Sequence, residues 1–384
     1  MRILVLDTIH GGAELAGALR GAGHQVDEVD VYRGKAGIPI EEALVRTYDL
    51  VTAPVHLDPD HPLLRHHGPA VPHHEMVKRV LDGRLPHPFI EITGARGKTT
   101  TAHALASLLP GPGILHTSTG TYRYPERELL WKRSITPASL IVAVREAERI
   151  GGWLVAEESL GVAAAGDVAV LTSPEDYPVA AGKKHAIAEK CRLLARAPKV
   201  VFPPGIDIPG AVAAEGMVSF EGQTCRYAGF EVSGTFANPL CTLAGYRTPL
   251  MLAAATACVL GVDPSPLGRF AALPGRMAAR REGDLLIVDN ANSGTNMATT
   301  VEAACYAREL SGNAPLTIVI GEEARAICEG FPAEEIRRTV AAVAPTGIVY
   351  VGEGHPAPTL NAGLDAARKI TPAGAIVLAV KTWR

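Results

Sequence analysis

The sequence predicts an α/β fold with parallel sheets distributed over three domains. Apolar segments of strand length alternate with helix-forming segments along most of the 384 residues, an alternation typical of parallel sheets covered by helices. A stretch of short antiparallel strands, Met217–Val232, and a proline-containing joint, Pro264–Pro274, interrupt it. We therefore predict an N-terminal domain over residues 1–86, a central domain over 87–273 and a C-terminal domain over 274–384.

The N-terminal domain begins with the succession strand, turn, helix, strand. These segments are Arg2–Asp7, His10-Gly11-Gly12, Ala13–Leu19 and Gln25–Tyr32, and a further strand is predicted at Tyr48–Val55. The succession predicts a Rossmann-like domain. Because its glycine fingerprint is incomplete, we favour a domain that holds a substrate, with an NAD-binding oxidoreductase as the alternative.

Histidine and proline become frequent in the segment that follows. We interpret it as an exposed connector, broken by prolines, in which most histidines are solvated. The alternative is contact with a metal or cofactor, since neutral imidazole is a common ligand. The histidines are His56, His61, His66, His67, His73, His74 and His87.

A phosphate-binding loop is predicted at the start of the central domain. The apolar strand Phe89–Thr93 precedes a glycine-containing turn, and a helix follows over Thr99–Leu109. Unpaired N–H groups in such a loop form an anion site, with Lys98 on the β- and γ-phosphates and the Thr99 hydroxyl on Mg²⁺. The alternative is a glycine-rich turn without a ligand. The predicted ATP-binding loop comprises Thr93, Gly94, Ala95, Arg96, Gly97, Lys98, Thr99 and Thr100.

The remaining elements continue the same alternation. In the central domain, strands are predicted at Ile114–Thr117, Trp153–Glu157, Val168–Thr172 and Val200–Phe202, and helices at Pro137–Ile150, Lys183–Ala197 and Arg247–Leu260. In the C-terminal domain, strands are predicted at Arg281–Asp289, Leu316–Ile320, Ile348–Val351 and Ala375–Val380, and helices at Thr299–Leu310, Glu334–Ala342 and Thr359–Ile370.

Charge and cysteine content narrow the class of protein. The formal net charge is −3 without a long run of one sign, so nucleic acid is not expected as the main partner. None of the six cysteines is spaced as C-x-x-C, which fits a reducing cytoplasm. Leu250–Leu260 is the most apolar helical segment and is too short to span a bilayer. We expect a cytoplasmic protein without membrane partners; nothing indicates its oligomeric state.

Five landmarks, in this order, resemble the Mur ligase superfamily of ATP-dependent ligases. They are the loop Thr93–Thr100; Glu157-Glu158-Ser159; Thr172–Tyr177 with Ala188-Glu189-Lys190; Pro274-Gly275-Arg276 with Asp289–Ser293; and Lys381-Thr382-Trp383-Arg384. The resemblance implies a Rossmann-like N-terminal domain, a central P-loop ATPase domain and a Rossmann-like C-terminal domain. It also implies that ATP and Mg²⁺ convert a carboxylate into an acyl phosphate.

The resemblance also implies roles for individual residues. Glu157 would hold a second Mg²⁺, and Lys190 would be carbamylated to a carboxylate-like ligand. Asp289 would bind the ribose and Asn292 would lie near the base. Arg276 and Lys381 would reach the phosphates or the acyl phosphate.

Two of these assignments have alternatives, and one landmark departs from the family. Glu158 is the alternative to Glu157, and an ordinary surface lysine is the alternative for Lys190. Tyr177 stands where the family has a metal-binding histidine, which leaves Asp176 as a candidate for that metal contact.

Together with these departures, three segments resemble one branch of the superfamily, whose members act on an anionic nickel tetrapyrrole. The segments are Asp7-Thr8-Ile9-His10-Gly11-Gly12, Glu158-Ser159-Leu160-Gly161 and Asp176-Tyr177. That likeness implies phosphorylation of a propionate side chain, followed by attack of a carbon of the same macrocycle that closes a six-membered ring. The predicted substrate-binding residues, chosen as a turn plus cations for carboxylates, are His10, Gly11, Arg123, Arg127, Lys132 and Arg133. The alternatives are an amide ligase of the same superfamily, which shares the ATP site, and a nucleotide-binding switch without ligase chemistry.

Overall fold

The computed structural model describes residues 1–81, 83, 85–323 and 330–382. It divides into two compact units, Met1–Phe270 and Ala271–Arg384. Both contain mainly parallel sheets with helices, so the predicted α/β class is confirmed. The three-domain boundaries at residues 86 and 273 stay a prediction. No helix formed by the described residues is both long and apolar enough to cross a bilayer.

The first sheet of the first unit has four parallel strands in the order β2-β1-β3-β4. Its strands are β1 (Arg2–Leu6), β2 (Gln25–Val29), β3 (Leu50–Ala53) and β4 (Val71–Pro72). Its helices are α1 (Gly12–Gly21), α2 (Ile40–Val45), α3 (Pro62–His67) and α4 (His73–Val80). The prediction that the histidine- and proline-rich segment is an exposed connector is therefore wrong in part. It contains two helices and a strand, and His73 and His74 are buried at 1% and 2% exposure.

The second sheet is larger and carries the predicted loop. Its order is β14-β13-β10-β5-β9-β6-β7-β8. The strands are β5 (Phe89–Thr93), β6 (Gly113–Thr117), β7 (Gly120–Tyr124), β8 (Glu128–Trp131), β9 (Trp153–Glu157), β10 (Val168–Leu171), β13 (Val200–Phe202) and β14 (Val212–Ala213). A two-stranded ribbon, β11 (Pro178–Val179) and β12 (Lys184–His185), precedes β13, and the helices are α5 (Lys98–Ala106), α6 (Ser139–Ile150) and α7 (Ala186–Leu194).

Buried strands explain why this sheet was predictable. All residues of β5 and β9 are buried, as expected for parallel strands covered on both faces. The antiparallel hairpin of β7 and β8 was not predicted; it extends the sheet beyond β6. The two sheets share one hydrophobic core, in which Leu15 of α1 and Leu140 of α6 pack with Met76 of α4.

A small antiparallel sheet follows, as predicted, and the first unit ends with a helix. The strands are β15 (Val218–Glu221), β16 (Thr224–Gly229) and β17 (Val232–Ala237), followed by α8 (Ala244–Val259).

The second unit is a five-stranded sheet in the order β18-β19-β22-β20-β21. Its elements are β18 (Ala278–Glu282), β19 (Leu285–Asp289), α9 (Met297–Ser311), β20 (Leu316–Glu322), α10 (Ala333–Val343), β21 (Gly347–Val351), α11 (Leu360–Ile370) and β22 (Gly374–Lys381). The single strand predicted at Arg281–Asp289 is wrong at its start. Gly283, at φ +60°, turns the chain between two antiparallel strands.

Candidate active site

The predicted phosphate loop connects the end of β5 to the start of α5. Gly94 and Gly97 adopt φ values of 150° and 80°, which side chains rarely tolerate. A Cβ on Gly94 would lie 2.1 Å from Thr172 Oγ1, so the close approach to β10 also requires glycine. The loop therefore delivers the N-terminus of α5, with its positive end of the helix dipole, to the carboxyl edge of the sheet.

Lys98, Thr99 and Glu157 meet at that edge. Thr99 Oγ1 donates to Glu157 Oε2 over 3.0 Å, and Lys98 Nζ lies 4.0 Å from Glu157 Oε1. Lys98 Nζ also donates to the Gly94 carbonyl at 2.8 Å. One cation, one hydroxyl and one carboxylate are thus held together. Thr99 and Glu157 are buried, with 5% and 2% of their surface exposed.

Two serines that the sequence analysis missed complete this cluster. The Ser118 N–H donates to Glu157 Oε2 at 3.0 Å, and its hydroxyl lies 3.3 Å from Thr99 Oγ1. Ser173 Oγ accepts from the N–H groups of Ala95 and Arg96 at 2.9 and 3.1 Å. These two loop amides, predicted to be unpaired, are therefore engaged in the structure. The available signal was position, since Ser118 directly follows β6 and Ser173 lies two residues after β10. The carboxyl ends of these strands meet here.

The oxygen donors fit a hard divalent cation. Thr99 and Glu157 offer a hydroxyl and a carboxylate, and Mg²⁺ commonly takes one or two protein oxygens and completes its shell with water and phosphate. No group of three or more His, Cys, Asp or Glu side chains suited to a metal occurs among the described residues. A metal here would therefore depend on a bound nucleotide for further ligands.

Glu158 lies in a different environment from Glu157. It is buried beside Glu91, and its Oε2 accepts from the Ala163 N–H at 3.1 Å. Burial and the neighbouring Glu91 carboxyl raise the pKa of Glu158 well above its usual value. Burial also raises the pKa of Glu91. The neutral form of Glu158 is therefore favoured, and it is Glu157 that contacts Thr99.

Lys190 is fully buried in α7, so the alternative of a surface lysine does not describe it. Its Nζ lies 4.7 Å from the centroid of the Tyr177 ring and has no hydrogen-bond acceptor among the described residues. Burial, reinforced by the charge of Lys98, lowers the pKa of Lys190 to about 8. About a tenth of the amine is therefore neutral at pH 7, far more than for an ordinary lysine.

The Asp176 carboxylate is hydrogen-bonded to residues at the start of α7. Its Oδ1 accepts from the Ile187 N–H at 3.0 Å, and its Oδ2 lies 2.6 Å from His185 Nδ1. These contacts lower the pKa of Asp176, the Ile187 hydrogen bond most of all. A metal contact from Asp176 stays a prediction.

The predicted substrate residues His10 and Gly11 lie at the carboxyl end of β1. His10 Nδ1 is 3.0 Å from Asp7 Oδ2. Gly11 has φ +90°, and a Cβ there would lie 2.6 Å from Thr136 Oγ1, so this turn packs directly against the segment leading into α6. Substrate contact at either residue stays a prediction.

The predicted cations lie around the β7–β8 hairpin and beyond it. Arg123 contacts Glu128 at 3.1 Å and Glu146 at 3.2 Å, and Arg133 contacts Glu14 of α1 at 2.8 Å. The Arg127 guanidinium lies 5.7 Å from the centroid of the Tyr124 ring, and Lys132 is exposed. The paired arginines are already neutralised, so a carboxylate ligand would compete with glutamates for them.

In the second unit, Asp289 and Asn292 bind the loop that precedes β18. Asp289 accepts from the Gly275 N–H at 3.2 Å, and Asn292 Nδ2 donates to the Gly275 carbonyl at 2.6 Å. Arg276 follows in this loop, and its N–H donates to the Leu273 carbonyl at 2.9 Å.

Lys381 ends β22, where its Nζ donates to the Gly330 carbonyl at 2.9 Å. Trp383 and Arg384 of the fifth landmark lie outside the described residues. The nucleotide roles of the second-unit residues stay predictions.

A family model and a curated relative both match this chain, and both carry the same family description. Residues 279–382 match the family described as "Coenzyme F430 synthetase CfbE, C-terminal domain". The chain is 32% identical to the coenzyme F(430) synthetase of Methanosarcina acetivorans over an alignment that covers 86% of this chain and 85% of that protein.

Solved structures with a similar fold include Mur ligases. One is the UDP-N-acetylmuramoylalanyl-D-glutamyl-2,6-diaminopimelate–D-alanyl-D-alanyl ligase from Acinetobacter baumannii. It has a TM-score of 0.56 at 16% identity, covering 81% of this chain and 75% of that chain. MurF ligase of Thermotoga maritima, solved in complex with ADP, has a TM-score of 0.51 at 16% identity, covering 90% and 87%. These likenesses confirm the predicted Mur-ligase-like architecture.

Proposed function

Because the chain belongs to the coenzyme F430 synthetase family, we propose that it completes a nickel tetrapyrrole coenzyme by an ATP-dependent ring closure. The chain is an ATP-dependent ligase of Mur-ligase fold; the proposal concerns its substrate and its reaction. ATP transfers its terminal phosphoryl group to a propionate carboxylate of the seco precursor, and ADP leaves. A carbon of the same macrocycle then attacks the acyl carbon, loses a proton and expels phosphate, which closes a six-membered carbocycle.

The cluster of Lys98, Thr99 and Glu157 is the observation that carries this proposal. Transfer of a phosphoryl group to a carboxylate brings two anions together, so positive charge must be fixed where they meet. Lys98 Nζ and the N-terminus of α5 supply that charge at one end of the loop. Thr99 would hold one Mg²⁺ and Glu157 a second, and these ions when bound neutralise charge on the phosphate oxygens.

We assign the remaining predicted residues to later stages of the same reaction. Lys190, once carbamylated, would supply a further anionic ligand near Lys98. Asp289 and Asn292 would bind the nucleotide, and Arg276 and Lys381 would neutralise the acyl phosphate. An intramolecular carbon nucleophile needs no separate acceptor site, because the two reacting groups already belong to one molecule.

The test is the absorbance spectrum of the nickel seco precursor before and after incubation with the protein, ATP and Mg²⁺. We expect a spectral change accompanied by one ADP per product, and neither with Glu157→Gln. An amide ligase would instead release ADP in proportion to an added amine or amino acid. Release that depends on an amine, with an unchanged macrocycle spectrum, would refute the ring closure.

A further inference from the structure

Asp7 fixes the orientation of the His10 imidazole at the carboxyl end of β1. Asp7 is fully buried, and its carboxylate accepts from the Ile9 N–H at 2.6 Å. Its Oδ2 lies 3.0 Å from His10 Nδ1. Since an ionised carboxylate can only accept, the ring nitrogen facing it carries the proton. The lone pair of His10 is then on Nε2, in the arrangement that metal-ligating histidines usually have with a carboxylate behind them.

Two flat rings stand beside this imidazole. The His10 ring centroid is 4.9 Å from that of His56 and 5.0 Å from that of Tyr32. The His56 and Tyr32 rings stack at 5.9 Å with an interplanar angle of 18°. The His10 side chain remains 43% exposed, so it is accessible to a ligand. The His10 ring stands nearly perpendicular to both, at 83° to Tyr32 and 88° to His56. The stacked pair, with His10 edge-on beside it, suits a planar aromatic or macrocyclic partner.

A cavity of about 210 Å³ lies beside these rings, lined by His10, His56, His73, Ser159 and Leu160 among others. Burial lowers the pKa of His56, and it lowers that of His73 to about 3. The part of the cavity wall formed by His56 and His73 is therefore uncharged near neutral pH. It suits an apolar edge of a ligand rather than a carboxylate.

This group does not form a binding site for a bare metal ion. No set of three or more His, Cys, Asp or Glu ligands is present in the described parts of the chain. A metal already held by four nitrogens of a macrocycle needs only one further ligand, and imidazole suits nickel. We propose that Nε2 of His10, oriented by Asp7, is the axial ligand of the nickel in the substrate macrocycle; this rests on the function proposed above.

The position of the cavity agrees with that function. Ser159 and Leu160 lie two and three residues after Glu157 in the chain. Two residues span at most about 7 Å, so the backbone of Ser159 in the cavity wall lies within that distance of the backbone of Glu157. A macrocycle bound through His10 can therefore extend a propionate towards Lys98 and Thr99.

The test uses nickel K-edge X-ray absorption of the nickel seco precursor bound to the full chain without ATP. We expect the outer-shell scattering of one imidazole, and its loss in His10→Ala. His66→Ala, which removes an exposed histidine of α3, is the matched control and should retain it. Asp7→Asn removes the carboxylate that orients His10, so it should weaken binding of the nickel macrocycle by about 10–100-fold. The metal-free macrocycle should bind the wild-type protein and Asp7→Asn equally.

The outcomes separate this inference from the proposed function. Binding and ring closure by the wild-type protein without imidazole scattering, or scattering that persists in His10→Ala, would overturn the axial ligand and leave the function standing. An equal loss of affinity for nickel and metal-free macrocycles in His10→Ala would also overturn it. If the wild-type protein neither binds nor converts the precursor, the proposed function fails and the axial ligand fails with it.

Discussion

Thr99 Oγ1 and Glu157 Oε2 are joined by a 3.0 Å hydrogen bond between residues that lie 58 positions apart in the chain. The parallel pairing of β5 with β9 explains their meeting, because Ile92 is the register partner of Glu157. Both residues therefore sit at the carboxyl edge of neighbouring strands, where ligands of open α/β sheets bind. The candidate magnesium site is a consequence of strand order.

Replacing Lys98 with alanine should abolish most of the ligase activity. Its ammonium group lies between the Gly94 carbonyl and Glu157, where it would meet the charge that develops on the transferred phosphoryl group. Loss of one such stabilising group typically lowers kcat by about 10²–10³-fold. ADP release with saturating precursor measures the effect. Lys35→Ala, at an exposed lysine, is the control, and a kcat of Lys98→Ala within a few-fold of wild type would rule out this role.

The two adjacent glutamates should differ sharply in their response to amidation. Glu157→Gln removes the charge beside Thr99, so we expect a large loss of activity that higher Mg²⁺ concentrations partly restore. Glu158→Gln replaces a carboxyl whose pKa is already raised by burial and by Glu91. A neutral isostere should leave kcat within a few-fold and the melting temperature nearly unchanged.

Magnesium titrations of both variants provide the measurement. A shift of the Mg²⁺ concentration for half-maximal activity is expected in Glu157→Gln alone. If Glu158→Gln shows the shift and Glu157→Gln does not, the assignment of the two residues must be exchanged.

The loop and its two neighbouring strands were predictable because their signals are local. An apolar run, two glycines and a Lys-Thr pair lie within thirteen residues, 89–101, and each has a direct backbone or charge consequence. Ser118 and Ser173 were not predictable in this way. Their contacts depend on β6 and β10 flanking β9 and β5, an order that no local pattern specifies.

The histidines of α4 show a second limit of local patterns. Proline and histidine composition predicted exposure, yet His74 is buried against the Ser159 carbonyl at 3.0 Å. Gly161 lies beside this contact: a Cβ there would clash with the Leu193 side chain at 2.2 Å, whereas it would meet His74 Nε2 at 3.4 Å, which is close to an ordinary contact. Burial of a histidine is thus decided by a partner 85 residues away.

Lys190 should be carbamylated in the active protein. Its amine is buried and its pKa is lowered to about 8, so the neutral form that reacts with carbon dioxide is well populated near pH 8. With ¹³C-labelled bicarbonate, we expect a carbamate carbon resonance that is absent from Lys190→Ala. Removal of carbon dioxide should lower activity reversibly. Lys132→Ala should retain the resonance, and a wild-type spectrum without it would exclude the modification.

Acid should destabilise the protein through His116, a buried histidine of β6. Burial lowers its pKa from 6.5 to about 4, so between these values the unfolded state binds a proton that the folded state does not. Unfolding free energy should therefore fall as pH falls from 6.5 to 4, by up to about 1.4 kcal/mol per pH unit, and be independent of this group above 6.5. Urea unfolding at several pH values should show a shallower slope for His116→Gln, whatever its stability at pH 7.5. The exposed His66→Gln should keep the wild-type slope; equal slopes for all three proteins would contradict the assignment.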